Sequence, residues 1–275
     1  MPCAGRSVMV VEESLDQQNA DFWDELCGTT LARSIGATSR TADDLRKFDA
    51  AYLDFYPYLA AYLPAADLAG IRVLEIGLGY GTVGNLLIER GARYTGVDIA
   101  AGPVEMMRNR IGLADRAATC AAQQGSALAL PFADGEFDLL YTIGCLHHTG
   151  DLPQAIREVG RVLRPGGRAV VMVYNRWSAR RVVTAPRRAL VALKSRREAN
   201  AAARARYDAD QAGNAAPHTD FVSARSLSGL FDEFSSVEVD KRNIDIARVP
   251  RARPTLLRLH VDRLVGLDLY VRATQ

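Results

Sequence analysis

The segment Val73-Leu74-Glu75-Ile76-Gly77-Leu78-Gly79-Tyr80-Gly81-Thr82 places the tightest limit on how this chain can fold. Ile71 to Ile76 reads as a buried strand and Thr82 to Arg90 as a helix, with glycines at alternate positions between them. Glycine lets the backbone turn sharply and approach a ligand with no Cβ in the way. The helix that follows starts with unpaired N–H groups and a positive dipole end. Strand, glycine turn and helix in this order are the opening of a nucleotide-binding sheet. The loop alone does not choose the nucleotide, because Gly79 to Gly84 also fits the dinucleotide pattern G-x-G-x-x-G. A tight turn with no ligand is the plain alternative.

Apolar runs and helical stretches continue to alternate downstream. Strands are expected at Arg93 to Val97, Phe137 to Ile143, Arg168 to Tyr174, Ser236 to Val239 and Leu267 to Ala273. Helices are expected near Val104 to Arg110, over Leu152 to Leu163 and over Ala224 to Phe234. That alternation predicts an α/β, Rossmann-like, doubly wound sheet. Asp98 closes the second strand, 21 positions beyond Gly77, where a carboxylate can accept hydrogen bonds from both hydroxyls of a ribose. Four segments follow: a helical cap over 1–66, the core over 67–175, a basic helical insertion over 176–223, and the rest of the sheet over 224–275. In the cap, Phe48, Tyr52, Phe55 and Tyr56 share one helical face, either packed on the sheet or serving as a lid.

Further residues narrow the nucleotide. Gly125-Ser126-Ala127-Leu128-Ala129-Leu130-Pro131-Phe132 leads into Phe137-Asp138-Leu139-Leu140-Tyr141 and Leu146-His147-His148. Glu158-Val159-Gly160-Arg161-Val162-Leu163-Arg164-Pro165-Gly166-Gly167 follows. With the glycine loop, this series resembles the class I S-adenosylmethionine-dependent methyltransferases, especially the small-molecule, ubiquinone/menaquinone-type branch. The resemblance covers about Ile71 to Tyr174. It implies a seven-stranded sheet with an antiparallel last strand and S-adenosylmethionine as cofactor, with no metal. It further implies that Glu75, Gly77, Gly79 and Gly81 hold the methionine end, that Asp98 binds the ribose, and that Ile99 lines the adenine face. Ser126 and Ala127 would meet the adenine edge, although Ser126 stands where the family commonly has Asp. Thr142 would face the methionine portion. Tyr52 and Tyr56, helped by Trp23, would belong to the lid, with His218 and Asp220 on the acceptor side.

A sulfonium donor already carries an electrophilic methyl. The protein must supply in-line positioning, dryness and, for some acceptors, a base. His147 and His148 are the candidates, since imidazole titrates near neutral pH; the alternative is that they only brace their loop. The resemblance implies a small-molecule acceptor, with oxygen, nitrogen or carbon as the methylated atom. Three rival readings remain: a nicotinamide oxidoreductase, an RNA methyltransferase, and a non-catalytic binding protein on the same fold. Against the first stands the Leu163-Arg164-Pro165-Gly166-Gly167 series; against the second, Thr142-Ile143-Gly144-Cys145 replaces the Asn/Asp-Pro-Pro-aromatic signature of base-amino methylation. The formal charge of +2 argues against an extended nucleic-acid surface, despite ten basic residues between Arg176 and Arg206. Cys3, Cys27, Cys120 and Cys145 form no C-x-x-C pair, there is no stretch of about 18 apolar residues, and no leader is evident. Those features predict a cytoplasmic protein without a membrane span.

Overall fold

The computed structural model describes residues 14–25, 29–182, 184, 204–244 and 252–275. Cys3, Cys27 and most of the basic stretch, Arg187 and Arg188 included, lie outside the described residues. Seven strands form one sheet: β1 (Arg72–Ile76), β2 (Arg93–Asp98), β3 (Ala121–Gln124), β4 (Phe137–Ile143), β5 (Leu163–Tyr174), β6 (Ser236–Arg242) and β7 (Asp268–Thr274). Their order is β3-β2-β1-β4-β5-β7-β6. The first five pair in parallel. β7 runs antiparallel to both β5 and β6. This is the sheet that the resemblance implied.

Helices α1 (Leu15–Trp23), α2 (Thr29–Ser34) and α3 (Ala42–Phe55) precede the sheet; α4 (Thr82–Glu89), α5 (Ala101–Leu113) and α6 (Leu152–Val162) flank it. Their starts are written in the sequence. Ser14, Thr41 and Asp151 each accept a hydrogen bond from the amide three residues on, capping α1, α3 and α6. In α6, Leu152, Ala155, Ile156, Val159 and Val162 form the apolar stripe that buries the helix on the sheet. One face of the sheet packs on α6 and Phe231; the other packs on α4, α5 and the 3₁₀ segment Pro57–Tyr62.

Three expectations change. β3 has no counterpart in the sequence reading, because Ala121-Ala122-Gln123-Gln124 holds no β-branched or aromatic residue. It is an edge strand whose one strand partner among the described residues is β2. The expected helix Ala224 to Phe234 is α-helical only over Ala224–Ser228, under a Ser223 cap, and then tightens to a 3₁₀ turn over Gly229–Phe231. The aromatic face of α3 also divides. Phe48 is buried, whereas Phe55 is 43% exposed, with the Arg253 guanidinium 4.0 Å from its ring centre. Among the described residues no helix is long and apolar enough to cross a membrane.

Candidate cofactor and acceptor site

The strand order reverses between β1 and β4, and at the carboxyl ends of these strands a ligand crevice is expected. There the structure holds a cleft spanning about 1070 Å³, the open solvent at its mouth included. The glycine loop forms its floor. Gly77, Gly79 and Gly81 have φ of 81°, 49° and 77°, a region that L side chains rarely adopt. At Gly77 a Cβ would also overlap the Cys145 side chain, and at Gly81 it would stand 2.8 Å from Arg110 Cδ. Glycine is therefore required at both places. Gly84 serves packing: a Cβ there would lie 2.6 Å from Glu75 Oε2, so its absence lets α4 sit down on β1.

Glu75, Gly77, Gly79, Gly81, Asp98, Ile99, Ser126 and Ala127 all line this cleft, as does Tyr52. Asp98 is tied to the loop that it faces. Its Oδ2 accepts from the Leu78 amide at 2.7 Å and its Oδ1 from the Ala100 amide at 3.0 Å. Each carboxylate oxygen offers two lone pairs, so acceptors remain for a vicinal diol. Burial pushes the Asp98 carboxyl up, opposed by the backbone amides around it. Burial also pushes Glu75 up to about 8, opposed by the Tyr94 hydroxyl, which donates to Glu75 Oε2 at 2.5 Å, and by the Arg110 charge. A carboxyl so poised at the floor suits a ligand that brings a positive charge. Phe48 and Tyr80 stack at 4.1 Å and 18° along the wall, with Tyr52 and Trp23 farther out. Exposed glycine backbone, an acidic floor, a diol-binding carboxylate and aromatic walls fit S-adenosylmethionine.

Several expected residues do not reach the cleft. Thr142 is fully buried on the opposite face of β4, and its Oγ1 has no partner among the described residues; strand alternation turns Ile143 toward the cleft instead. Tyr56 leaves the helical register as the C-cap of α3 and packs on Tyr52 and Tyr58, behind the wall. His147 is buried away from the cleft, its ring centre 4.1 Å from that of His148 and 4.2 Å from that of Tyr174. Burial, reinforced by His148 and His218, holds its pKa well below the usual histidine value. It stays neutral and does not meet an acceptor. His218 and Asp220 face each other at 3.1 Å outside the cleft.

His148 does line the cleft. Its Nδ1 lies 2.7 Å from the His218 carbonyl, and its Nε2 stands 3.7 Å from Asp208 Oδ2. Burial lowers its pKa, with Asp208 the main opposing influence. Asp208 was not singled out from the sequence: it follows the basic stretch and nothing about its spacing marks it. Burial pushes its carboxyl up; the His148 charge and the Tyr174 hydroxyl, which donates to Oδ1 at 3.1 Å, oppose this. The N-terminal helix closes the same end. Asn19 donates to the His148 carbonyl at 2.9 Å, and the Trp23 ring centre lies 4.8 Å from that of His148. Beyond α1, Asp24 Oδ1 accepts from the Gly102 amide at 2.7 Å. The N-terminal segment thus roofs the cleft from His148 to the start of α5.

Sequence reasoning also missed the pair that fastens the loop. Arg110, buried in α5, grips Asp49 of α3 through two hydrogen bonds at 2.7 and 2.9 Å and donates Nε to the Tyr80 carbonyl at 2.7 Å. Thr82 Oγ1 donates to Asp49 Oδ1 at 2.6 Å. The available signal was an arginine on the buried face of α5, among Met106, Met107 and Ile111.

Fold and cleft together define an α/β domain built in the manner of the class I methyltransferases, with a cleft that fits their cofactor. A family model described as a methyltransferase domain matches residues 74–171. Among curated relatives, 27-O-demethylrifamycin SV methyltransferase of Amycolatopsis mediterranei is 32% identical over 150 residues, which is 54% of this chain and 53% of that protein. The first curated relatives are matched over only 37%, 53% and 39% of their own lengths. Among solved structures, a methyltransferase from Thermotoga maritima has a TM-score of 0.52 at 19% identity, covering 81% of this chain and 88% of that one. The cyclase SpnF has a TM-score of 0.57 at 15% identity, covering 94% and 96%. These two likenesses show the fold, and the second is named for a different reaction.

Proposed function

We propose that this protein transfers the methyl group of S-adenosylmethionine to a small-molecule acceptor, with His148 as the proton acceptor at the acceptor end of the cleft. The observation that carries the reading is the joining, in one cleft, of the required glycines at Gly77 and Gly81, the Asp98 carboxylate and the wall residue His148. The cofactor, when bound, supplies a methyl on a positively charged sulfur, and no nucleophilic protein residue is needed. The chain's part is positional. The glycine loop and Glu75 hold the methionine end, Asp98 holds the ribose, Ser126 and Ala127 meet the adenine edge, and the N-terminal helices exclude water. His147 has no catalytic part in this reading. Relatives that act on secondary metabolites, such as the rifamycin enzyme, favour a natural-product acceptor. A cytoplasmic location accords with four scattered cysteines that form no C-x-x-C pair.

The likeness to SpnF supports a second reading, in which the cofactor is held and a different reaction runs beside it. Incubation with methyl-labelled S-adenosylmethionine and a panel of hydroxylated natural products separates the two. Label in product with matching S-adenosylhomocysteine supports methyl transfer. Chemical change in an acceptor with no label moved supports the second reading, and no binding of either cofactor form rejects both.

A further inference from the structure

A lone apolar side chain on a protein surface needs no account, whereas a group of them does. Among the described residues the three most exposed large apolar side chains are Leu264, Leu259 and Trp177, at 71%, 69% and 61%. All three stand on connections at one end of the sheet. Trp177 follows β5, and the leucines lie between β6 and β7, on the short helices Arg253–Arg258 and Asp262–Val265 and the turn that joins them. β7 runs antiparallel to both β5 and β6, so both connections emerge at the carboxyl end of the parallel strands.

Buried Asn175 ties the two connections together. Its Oδ1 accepts from the Trp177 amide at 3.0 Å, and its Nδ2 donates to the Gly266 carbonyl at 2.8 Å. The lobe between β6 and β7 is sorted by side. Leu256 and Leu257 are half-buried, His260 turns the chain with a φ of 54°, and Leu259 and Leu264 are left outside. Charge is sorted as well. Arg176, Arg258 and Arg263 are exposed, and the Arg176 guanidinium stands 5.8 Å from the Trp177 ring centre. Among the described residues of 175–182 and 252–267 the one acid is Asp262, and it is buried. Apolar tips set among cations are complementary to an anionic lipid surface. Leucines enter the acyl boundary, tryptophan settles at headgroup level, and arginines meet the lipid charge. A polyphosphate chain makes no use of exposed leucines. A twofold contact between copies would set these arginines against their own kind.

We propose that this face, Trp177, Leu259 and Leu264 with Arg176, Arg258 and Arg263, docks the protein on the surface of an anionic lipid bilayer. None of the six residues lines the cleft, and the inference does not depend on the reaction run there. Face and cleft do share the carboxyl end of the sheet, so a docked chain holds its cleft close to the lipid.

Vesicle sedimentation with the full chain tests this. Binding to vesicles of equal parts phosphatidylcholine and phosphatidylglycerol should be about tenfold tighter, or more, than binding to phosphatidylcholine alone. Leu259→Ser with Leu264→Ser should weaken binding to the mixed vesicles about tenfold or more. Arg258→Gln with Arg263→Gln should weaken it by a similar factor. Both double variants should keep their melting temperature, because all four side chains are exposed. Trp23 and Trp177 are the two tryptophans of the chain, so in a Trp23→Phe background the emission is that of Trp177. It should move to shorter wavelength on the mixed vesicles. No binding, equal binding to both vesicles, binding that survives both double substitutions, or an unmoved emission overturns the proposal. A dimer in sedimentation velocity that the leucine substitutions abolish also overturns it and makes the face a contact between copies. RNA retention that is lost with the arginines and indifferent to the leucines overturns it in favour of a nucleic acid.

Discussion

The two ends of the cleft are made of different material. At the cofactor end the shape is set by backbone: left-handed glycines, main-chain amides and one carboxylate, all within Glu75 to Ala127. At the acceptor end it is set by side chains from distant parts of the chain, with Asn19, His148, Tyr174, Asp208 and the His218 carbonyl drawn together. A backbone site tolerates little change in its glycines and survives drift elsewhere. A side-chain site is retuned by single substitutions, and one cofactor can thereby serve many acceptors.

The comparison can be broken or sharpened by substitution. Breaking the buried ion pair behind the loop should have the largest effect. Arg110→Met leaves the half-buried Asp49 carboxylate with the Thr82 hydroxyl alone and should cost about 3–5 kcal/mol in urea unfolding, with cofactor affinity falling alongside; a loss under about 1 kcal/mol would make the pair dispensable. Gly77→Ala should cost about 1–3 kcal/mol through the positive φ and the clash with Cys145, and should abolish cofactor binding in calorimetry. Next comes pH. The folded Glu75 carboxyl titrates at about 8 against an ordinary 4.5, so between those values the folded state keeps a proton that the unfolded chain has released. Stability of the cofactor-free chain should therefore fall as pH rises through that window, by at most about 1.4 kcal/mol per unit from this group. Glu75→Gln should flatten the curve of melting temperature against pH; identical curves would mean that Glu75 is ionised throughout. Asp98→Ala should weaken S-adenosylmethionine binding about tenfold or more while the chain still folds, and an unchanged dissociation constant would remove Asp98 from the site. Smallest of all, Phe55→Ala should change stability by about 0.5–1 kcal/mol, the worth of an exposed cation–π contact with Arg253, and leave cofactor affinity untouched.

The same contrast explains what could be read from the sequence. Gly77, Gly79, Gly81 and Asp98 were legible because a strand–loop–helix unit fixes their spacing, and short-range spacing is what a sequence displays. The parallel strands were legible for a similar reason, except β3, whose alanines and glutamines gain strand geometry only by lying beside β2. Thr142 was placed correctly along β4 and on the wrong face, since a run of apolar residues hides the alternation of a strand buried on both sides. Of the two histidines, only the turn over Leu146–His148 decides which reaches the cleft. Asp208 and Asp49 were out of reach, being carboxylates whose meaning lies in partners 60 and 61 positions away, His148 and Arg110.

The stretch from Leu15 to Asp24 lies over the cleft like a bar hinged at both sides, held at the His148 carbonyl by Asn19 and at the Gly102 amide by Asp24, with Leu15 filling the space a side chain at Gly150 would need. The Asn19 bond ends on the backbone of the histidine that lines the cleft, so where this bar lies and where the His148 ring sits are set by one and the same contact.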